Sequence, residues 1–358
     1  MHRTARRGSS KAWLPALVLV VEVLVRPTSI SKPLSSQGCF ASLSSGSQRE
    51  DFWPDDSCAY VINLARRPDR LRRLHKLLAS TNPSLMDKLQ RIDAVDGQNI
   101  SLDSLHAKRV VEESALIRAK RAQRLGLYSI VHDAENNLVN FDDHLTEGAV
   151  ACAMSHYNAL KKVAEHPADW GLILEDDLSL AVPYVHREIR GILKQLPLDW
   201  TAVFLGYHNK YGRPHPRAVN STGNWSDDGV EKEPIFEIHD HSWGLYAWMV
   251  KKDAAKSLIQ NLFPISSQVD YAISRYLITT HGGVYSVHPD RLLFYSPTSE
   301  EGQDSDIQSM RSEEEVVQEF GSWHDYLELQ RPSSYDELAT EDLYGSLDED
   351  WPEAEWSP

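Results

Sequence analysis

The chain predicts an α/β fold, with a mostly parallel central sheet flanked by helices. Three observations predict it. Short apolar runs that read as buried strands alternate with stretches of helical periodicity through residues 58–287. The apolar share, 41%, is ample for a packed core. The run Leu172-Ile173-Leu174 leads straight into Glu175-Asp176-Asp177, and open α/β sheets bind ligands outside the carboxyl ends of their strands.

The elements follow in order. Residues 58–64 (CAYVINL) read as a strand. Pro68 then suits a first helical turn, and Leu71, Leu74, Leu77 and Leu78 carry helical spacing over 69–80. Residues 90–95 read as a second strand, closed by the turn signal Asp96-Gly97. Residues 101–145 are polar, mixed and without a clear period. Over 148–165, Val150, Met154, Tyr157, Leu160 and Ala164 recur at three- and four-residue steps and predict an amphipathic helix. A strand over 170–177, a helix near 183–195 and a strand over 202–205 follow. A Pro/Gly/Asn-rich loop fills 206–233. Beyond it, 244–250 and 284–287 read as strands, and 253–261 and 269–280 as helices. There is no internal repeat.

The ends differ from this middle. Arg3, Arg6, Arg7 and Lys11 precede an apolar run over 12–25, interrupted by Pro15 and Glu22. That is a positive segment followed by a short apolar one, shorter than the roughly 20 residues of a spanning helix. Residues 1–27 therefore read as a signal peptide or a signal anchor, and the Ser/Pro-rich 28–55 as a flexible linker. The globular domain occupies 56–309, and 310–358 reads as an acidic, largely disordered tail. The tail holds about 15 acidic residues against Arg311 and Arg331, so it carries nearly all of the net charge of −15. The remainder is close to neutral and has no basic patch, which argues against a nucleic-acid partner. A leader places the protein in the secretory pathway (ER/Golgi lumen) or outside the cell, touching a membrane only through a possible N-terminal anchor. Sequons at Asn99, Asn220 and Asn224 fit that route. Cys39, Cys58 and Cys152 make no disulfide scaffold. A Cys58–Cys152 bridge and two buried free thiols both remain open.

The chemistry concentrates at a few places. Glu175 and Asp177, one residue apart at a strand end, face one way if the strand's alternation persists. Two such carboxylates repel, and oxygen-only ligands suit Mg²⁺ or Mn²⁺. A solvated strand end is the plain alternative. Residues 63–70 (NLARRPDR) join strand, loop and helix start, a natural anion cradle. Arg67 or Arg70 could reach a phosphate there, and Asn63 a base or ribose, against the reading of a charged surface turn. Asp93 and Asp96 could accept from ribose, or could simply build the Asp-Gly turn. Ser155 and His156 lie in the 148–165 helix, and His156, in line with Ala149, Ala153 and Leu160, points near its buried face, where a core histidine is as good a reading as a site residue. Asp270 opens a helix, as a first-turn acid or as a general base. Asp304-Ser305-Asp306 reads as a polar linker by itself. No G-x-S-x-G elbow, Walker loop, H-E-x-x-H or G-x-G-x-x-G is present. His281-Gly282-Gly283 is similar to an esterase oxyanion motif but lacks a nucleophile.

In order, Tyr60-Val61-Ile62-Asn63-Leu64 with Arg67, Asp69 and Arg70, then Ala94-Val95-Asp96-Gly97, Gly148 through His156, and Ile173 through Asp177 resemble glycosyltransferase family 25. So do Trp243 through Ala247, Val269-Asp270, and Ser296-Pro297 followed by Asp304 through Ile307. That family includes lipopolysaccharide and procollagen galactosyltransferases. The resemblance covers residues 58–308 and implies a GT-A-like nucleotide-sugar-binding fold. It implies a UDP-sugar donor, usually Mn²⁺ (or Mg²⁺), and inversion at the anomeric carbon, often with galactose moved onto a glycan or glycoprotein hydroxyl. It implies donor binding by Asn63, Arg67, Arg70, Asp96, Ser155, His156 and Asp176, and metal binding by Glu175 and Asp177. Asp270 is then the catalytic base, and Asp304 and Asp306 help close the donor site. The stretches 101–145 and 206–233 match no motif and are where acceptor choice would reside. Two other readings stand beside it: a non-catalytic binding or adhesion protein on the same fold, and a glycoside hydrolase using two carboxylates without nucleotide.

Overall fold

The computed structural model describes residues 52–132, 138–142, 144–208, 235–238, 241–288, 291–296, 305–307 and 309–330. The expected leader and linker, the sequons at Asn220 and Asn224, Asp304 and residues 331–358 lie outside the described residues. Among the described residues no helix is long and apolar enough to cross a membrane.

The first half runs β1 (Ser57–Asn63), α1 (Pro68–Thr81), α2 (Pro83–Met86), β2 (Leu89–Asp93), a 3₁₀ turn (Gly97–Asn99), α3 (Leu102–Ala107) and α4 (Glu113–Leu125). It continues through β3 (Ile130–His132), β4 (Leu138–Phe141), α5 (Glu147–Glu165), β5 (Trp170–Glu175), β6 (Leu180–Ala181) and α6 (Val185–Leu193). The second half adds β7 (Ala202–His208), β8 (Ile235–Glu237), β9 (Trp243–Lys251), α7 (Lys252–Asn261), α8 (Val269–Thr280), β10 (Val284–Val287) and β11 (Phe294–Tyr295). Last come β12 (Met310–Ser312), α9 (Glu313–Phe320) and α10 (Trp323–Gln330).

Seven strands form the central sheet in the order β2-β1-β5-β9-β7-β10-β8. The pairings of β1 with β2 and β5 and of β7 with β10 are parallel, while β9 and β8 run against their neighbours. Five of the seven strands therefore point the same way, as the sequence predicts. The central strands β1 and β5 are buried on both faces, which explains their unbroken apolar runs. Their register sets Ile62 beside Glu175, and β2 sets Asp93 beside Asn63. The polar ends of three strands thus meet at one edge of the core.

Helix α5 lies over this edge. The Thr146 hydroxyl accepts from the Ala149 amide (3.0 Å) and caps its start. Ala149, Ala153, Leu160 and Val163 are wholly buried beneath it. Cys58 and Cys152 are free thiols and form no bridge.

Two regions depart from the sequence reading. Residues 101–145, which show no period, hold α3, α4, β3 and β4. The domain edge set at 309 falls inside folded chain. Strand β12 pairs parallel with β3, in a small sheet β12-β3-β4. Helices α9 and α10 bury Val316 and Tyr326 against Ala122, Leu127 and Val131. The Tyr326 hydroxyl also accepts from the Tyr128 amide (3.1 Å). These acidic helices fold because each buries one apolar anchor while its charges face water, and composition alone hides that pattern.

Candidate active site

A cleft of about 430 Å³ opens over the carboxyl ends of β1, β2 and β5. The chain after β5 supplies its acids, the start of β9 and α8 the facing wall, and α5 the floor. Ile130 and Met310 of the small sheet complete the lining.

Only the first of the three acids lies in the strand. Strand β5 ends at Glu175, and Asp176 and Asp177 lie in the turn beyond it. All three line the cleft but take different partners. Glu175 Oε1 lies 3.0 Å from His156 Nε2. Asp176 is buried and accepts from Asn63 Nδ2 (2.5 Å) and Arg70 Nη1 (3.4 Å). Burial raises its pKa, while the Asn63 and Arg70 contacts pull it down.

Asp177 is the exposed nerve of the site. Burial, then the charges of Glu175 and Asp176, push its carboxyl up to about 7, against a hydrogen bond to Ser296 and the pull of Arg70. Its Oδ1 is out of solvent and has no hydrogen-bond partner among the described residues. An orphaned carboxylate oxygen next to a second carboxylate is a place for a cation. Glu175 and Asp177 thus fit a hard divalent ion such as Mn²⁺ or Mg²⁺, by donor type and by unmet charge.

Asp270 sits in the first turn of α8 and lines the cleft. Its Oδ2 accepts from the Gly244 amide (2.7 Å) and its Oδ1 from the Tyr271 amide (2.8 Å). Gly244 has φ +77°, a left-handed conformation that favours glycine, and a Cβ there would lie 2.7 Å from the His208 ring. Burial raises the Asp270 pKa, opposed by the two amide bonds, with the Glu175 charge adding to the rise.

The opposite rim is cationic. Arg66, Arg67 and Arg70 come from the β1–α1 loop and the first turn of α1. All three reach Asp306: Arg66 Nη1 at 2.7 Å, Arg67 Nη1 at 2.8 Å and Arg70 Nη2 at 3.5 Å. Arg66 also bridges to Asp96 (2.9 Å). Residues 305–307 pack on the start of α5, where Gly148 leaves no room for a side chain: a Cβ would lie 2.6 Å from the Asp306 carbonyl oxygen.

The structure gathers Arg70, Ser155, His156, Glu175, Asp176, Asp177, Asp270 and Asp306 around this cleft. Asn63, Arg67 and Asp96 stand behind it. Asn63 is buried, and its amide is consumed by the Arg67 carbonyl, Asp176 and Arg91. Asp96 caps the 3₁₀ turn by accepting from the Gln98 amide. Burial alone would raise its pKa, but the Gln98 and Arg66 contacts outweigh it and lower it. Ser155 is spent on packing: its hydroxyl donates to the Ala151 carbonyl and accepts from the Val95 amide. His156 is 0% exposed, like a core histidine, and also lines the cleft, with Nε2 3.0 Å from Glu175 Oε1. Arg66, Cys152 and Ser296 also come to the cleft or its acids; each lies inside a stretch that the sequence singles out, but none is marked there by type as the residue that does so.

The model of glycosyltransferase family 25, described as LPS biosynthesis protein, matches residues 57–273. Human procollagen galactosyltransferase 2 is 22% identical over 206 residues, 56% of this chain and 27% of that protein. Its mouse counterpart is 22% identical over 289 residues, 75% of this chain and 40% of that one. A bovine relative described as probable inactive glycosyltransferase 25 family member 3 is 25% identical over 207 residues, 56% of this chain and 28% of it. The chain spans well under half the length of these curated relatives. The matched segment begins at β1, passes through α5 and the acidic turn, and ends just beyond Asp270. The chain belongs to glycosyltransferase family 25.

Proposed function

We propose that the chain is a metal-dependent inverting hexosyltransferase, moving a hexose, galactose first, from a UDP-sugar to a hydroxyl of a glycan or glycoprotein. The observation that carries the proposal is the buried, unpartnered Asp177 oxygen beside Glu175, in a cleft that also holds Asp270. Family membership supplies the reaction class. The secretory lumen, where such acceptors and donors meet, is the proposed location.

The residues divide the work. Arg70 and Arg66 offer cationic donors to a diphosphate at the β1–α1 loop. Asn63, Arg67, Arg91 and Asp96 hold that loop in place rather than touch the ligand. Glu175 and Asp177 hold the metal, which when bound offsets negative charge on a departing diphosphate. Asp270 takes the acceptor hydroxyl's proton. Each of its oxygens keeps a lone pair beyond its amide bond, and burial brings its basicity closer to neutral pH. His156 fixes the rotamer of Glu175.

UDP release from UDP-galactose with Mn²⁺ and a collagen-type or glycan acceptor tests the reading. Asp177→Ala should abolish turnover, and full activity in that variant removes the metal assignment. The bovine relative's description as probable inactive keeps a binding-only role in view. Calorimetry separates the two: no heat with Mn²⁺ and UDP at millimolar concentration favours that role and sinks the transferase.

A further inference from the structure

We propose that the floor of the cleft is a second metal site, overlapping the first at Glu175, selective for a thiophilic divalent ion of the Zn²⁺ class and built from Cys152, His156 and Glu175. One donor atom of each lies within 4.8 Å of the others. Cys152 and His156 are one helical turn apart on α5 and face Glu175 at the end of β5. All three line the cleft, so an ion has an entry path and an open fourth position.

Donor chemistry separates this site from the Glu175–Asp177 pair. Sulfur and imidazole select Zn²⁺, whereas carboxylates alone suit Mn²⁺ and Mg²⁺. A thiolate and a carboxylate together balance the charge of a divalent ion, with the imidazole neutral. Tetrahedral zinc bonds set its ligand atoms about 3.3–3.5 Å apart. Glu175 Oε1 and His156 Nε2 are already 3.0 Å apart, so these two need to spread only slightly. His156 is 0% exposed, and the ring nitrogen that it turns to Glu175 is Nε2, the atom that would take the ion. On binding, the Cys152 thiol loses its proton to solvent as the sulfur–metal bond forms. Glu175 belongs to both donor sets, so Zn²⁺ would compete with Mn²⁺; that consequence rests on the function proposed above, and the binding itself does not.

Co²⁺ titration of the chelator-stripped full chain is the test, read without donor or acceptor. One equivalent should bring in a sulfur-to-cobalt charge-transfer band, displaced by Zn²⁺. The band should vanish in Cys152→Ser and persist in Cys58→Ser. Absence of the band at millimolar Co²⁺, or its survival in Cys152→Ser, overturns the site. Alkylation guards against a misfolded variant. In the wild-type chain Zn²⁺ should slow iodoacetamide labelling of Cys152 at least about tenfold by peptide mass spectrometry, and an unchanged rate also overturns the site.

Discussion

Replacing Asp177 by asparagine should make the metal-free protein more stable at neutral pH, although it removes a cation ligand. The reason is the cost of an ionised carboxylate beside Glu175 and Asp176. An unfolded aspartate deprotonates near its ordinary value of 3.8, whereas burial and its acidic neighbours raise folded Asp177 to about 7. Between those values the folded state holds a proton that the unfolded state has released. Unfolding free energy therefore falls as pH rises through that window. At about 1.4 kcal/mol per pKa unit the full difference is about 4 kcal/mol. The half-buried side chain keeps some water, so about 2 kcal/mol is the expected gain for Asp177→Asn. Asparagine keeps a donor and an acceptor for Ser296 and never ionises.

The assay is urea unfolding with a chelator present, at about pH 4, 5.5 and 8. The two proteins should coincide at the lowest pH, separate through the middle and differ by the full amount at the highest. Adding Mn²⁺ should then stabilise the wild type alone, by about 2.7 kcal/mol at a hundredfold excess over Kd. Two results refute the reasoning. One is a metal-free wild type at pH 8 that equals or exceeds Asp177→Asn. The other is a gap that does not change with pH, which would mean that packing and not charge sets it.

Three further outcomes follow from the same geometry. Asp270→Asn should lower transfer by about 10²–10⁴-fold while calorimetric UDP affinity stays within about twofold, and normal transfer would move the base elsewhere. Gly148→Ala drives a methyl to 2.6 Å from the Asp306 carbonyl oxygen, so thermal unfolding should register a loss of about 1–3 kcal/mol, and a neutral result would show that residues 305–307 do not dock there. Tyr326→Ala empties the centre of the cluster formed with Val131 and Val316; a loss of about 3 kcal/mol or more, with faster amide exchange through 309–330, is expected, and no change would mean that α9 and α10 are not part of the folded core.

What the sequence reveals depends on how far apart in the chain the cause lies. Strands β1 and β5 are legible because both of their faces are buried and each holds an apolar run, residues 58–62 and 172–174. Helix α5 is legible because its period repeats over five turns. The acidic turn is legible as a place but not as a geometry. Alternation predicts Glu175 and Asp177 on one side and Asp176 on the other; the strand ends at Glu175, Asp176 turns to Asn63 and Arg70, and the Ser296 contact of Asp177 is set by the turn and not by the strand. Asp177's partner, Ser296, follows β11, whose pairing with β6 carries it back beside the acidic turn from more than a hundred positions away. The same holds for α9 and α10. Their acidity is plain in the sequence, but the Tyr326 pocket that holds them is made by residues two hundred positions earlier.

The placement of charge narrows the ligand further than any single residue does. Four carboxylates line the inner cleft: Glu175, Asp176, Asp177 and Asp270. Arg70 answers Asp176, and backbone amides answer Asp270, but among the described residues no ion pair to a lysine or arginine is seen on the Glu175–Asp177 side. At the rim Arg66, Arg67 and Arg70 converge on Asp306, and each also reaches a second acid, Asp96, Asp69 and Asp176 in turn. The donor proposed above, a diphosphate carrying a divalent ion, would draw on both regions: the arginines would exchange acid partners for phosphate oxygens, and the Glu175–Asp177 side would gain a cation. On that proposal Asp306 would share its three arginines with the incoming phosphates, and its carboxylate, which gathers them in the free chain, would spare the donor the cost of ordering them.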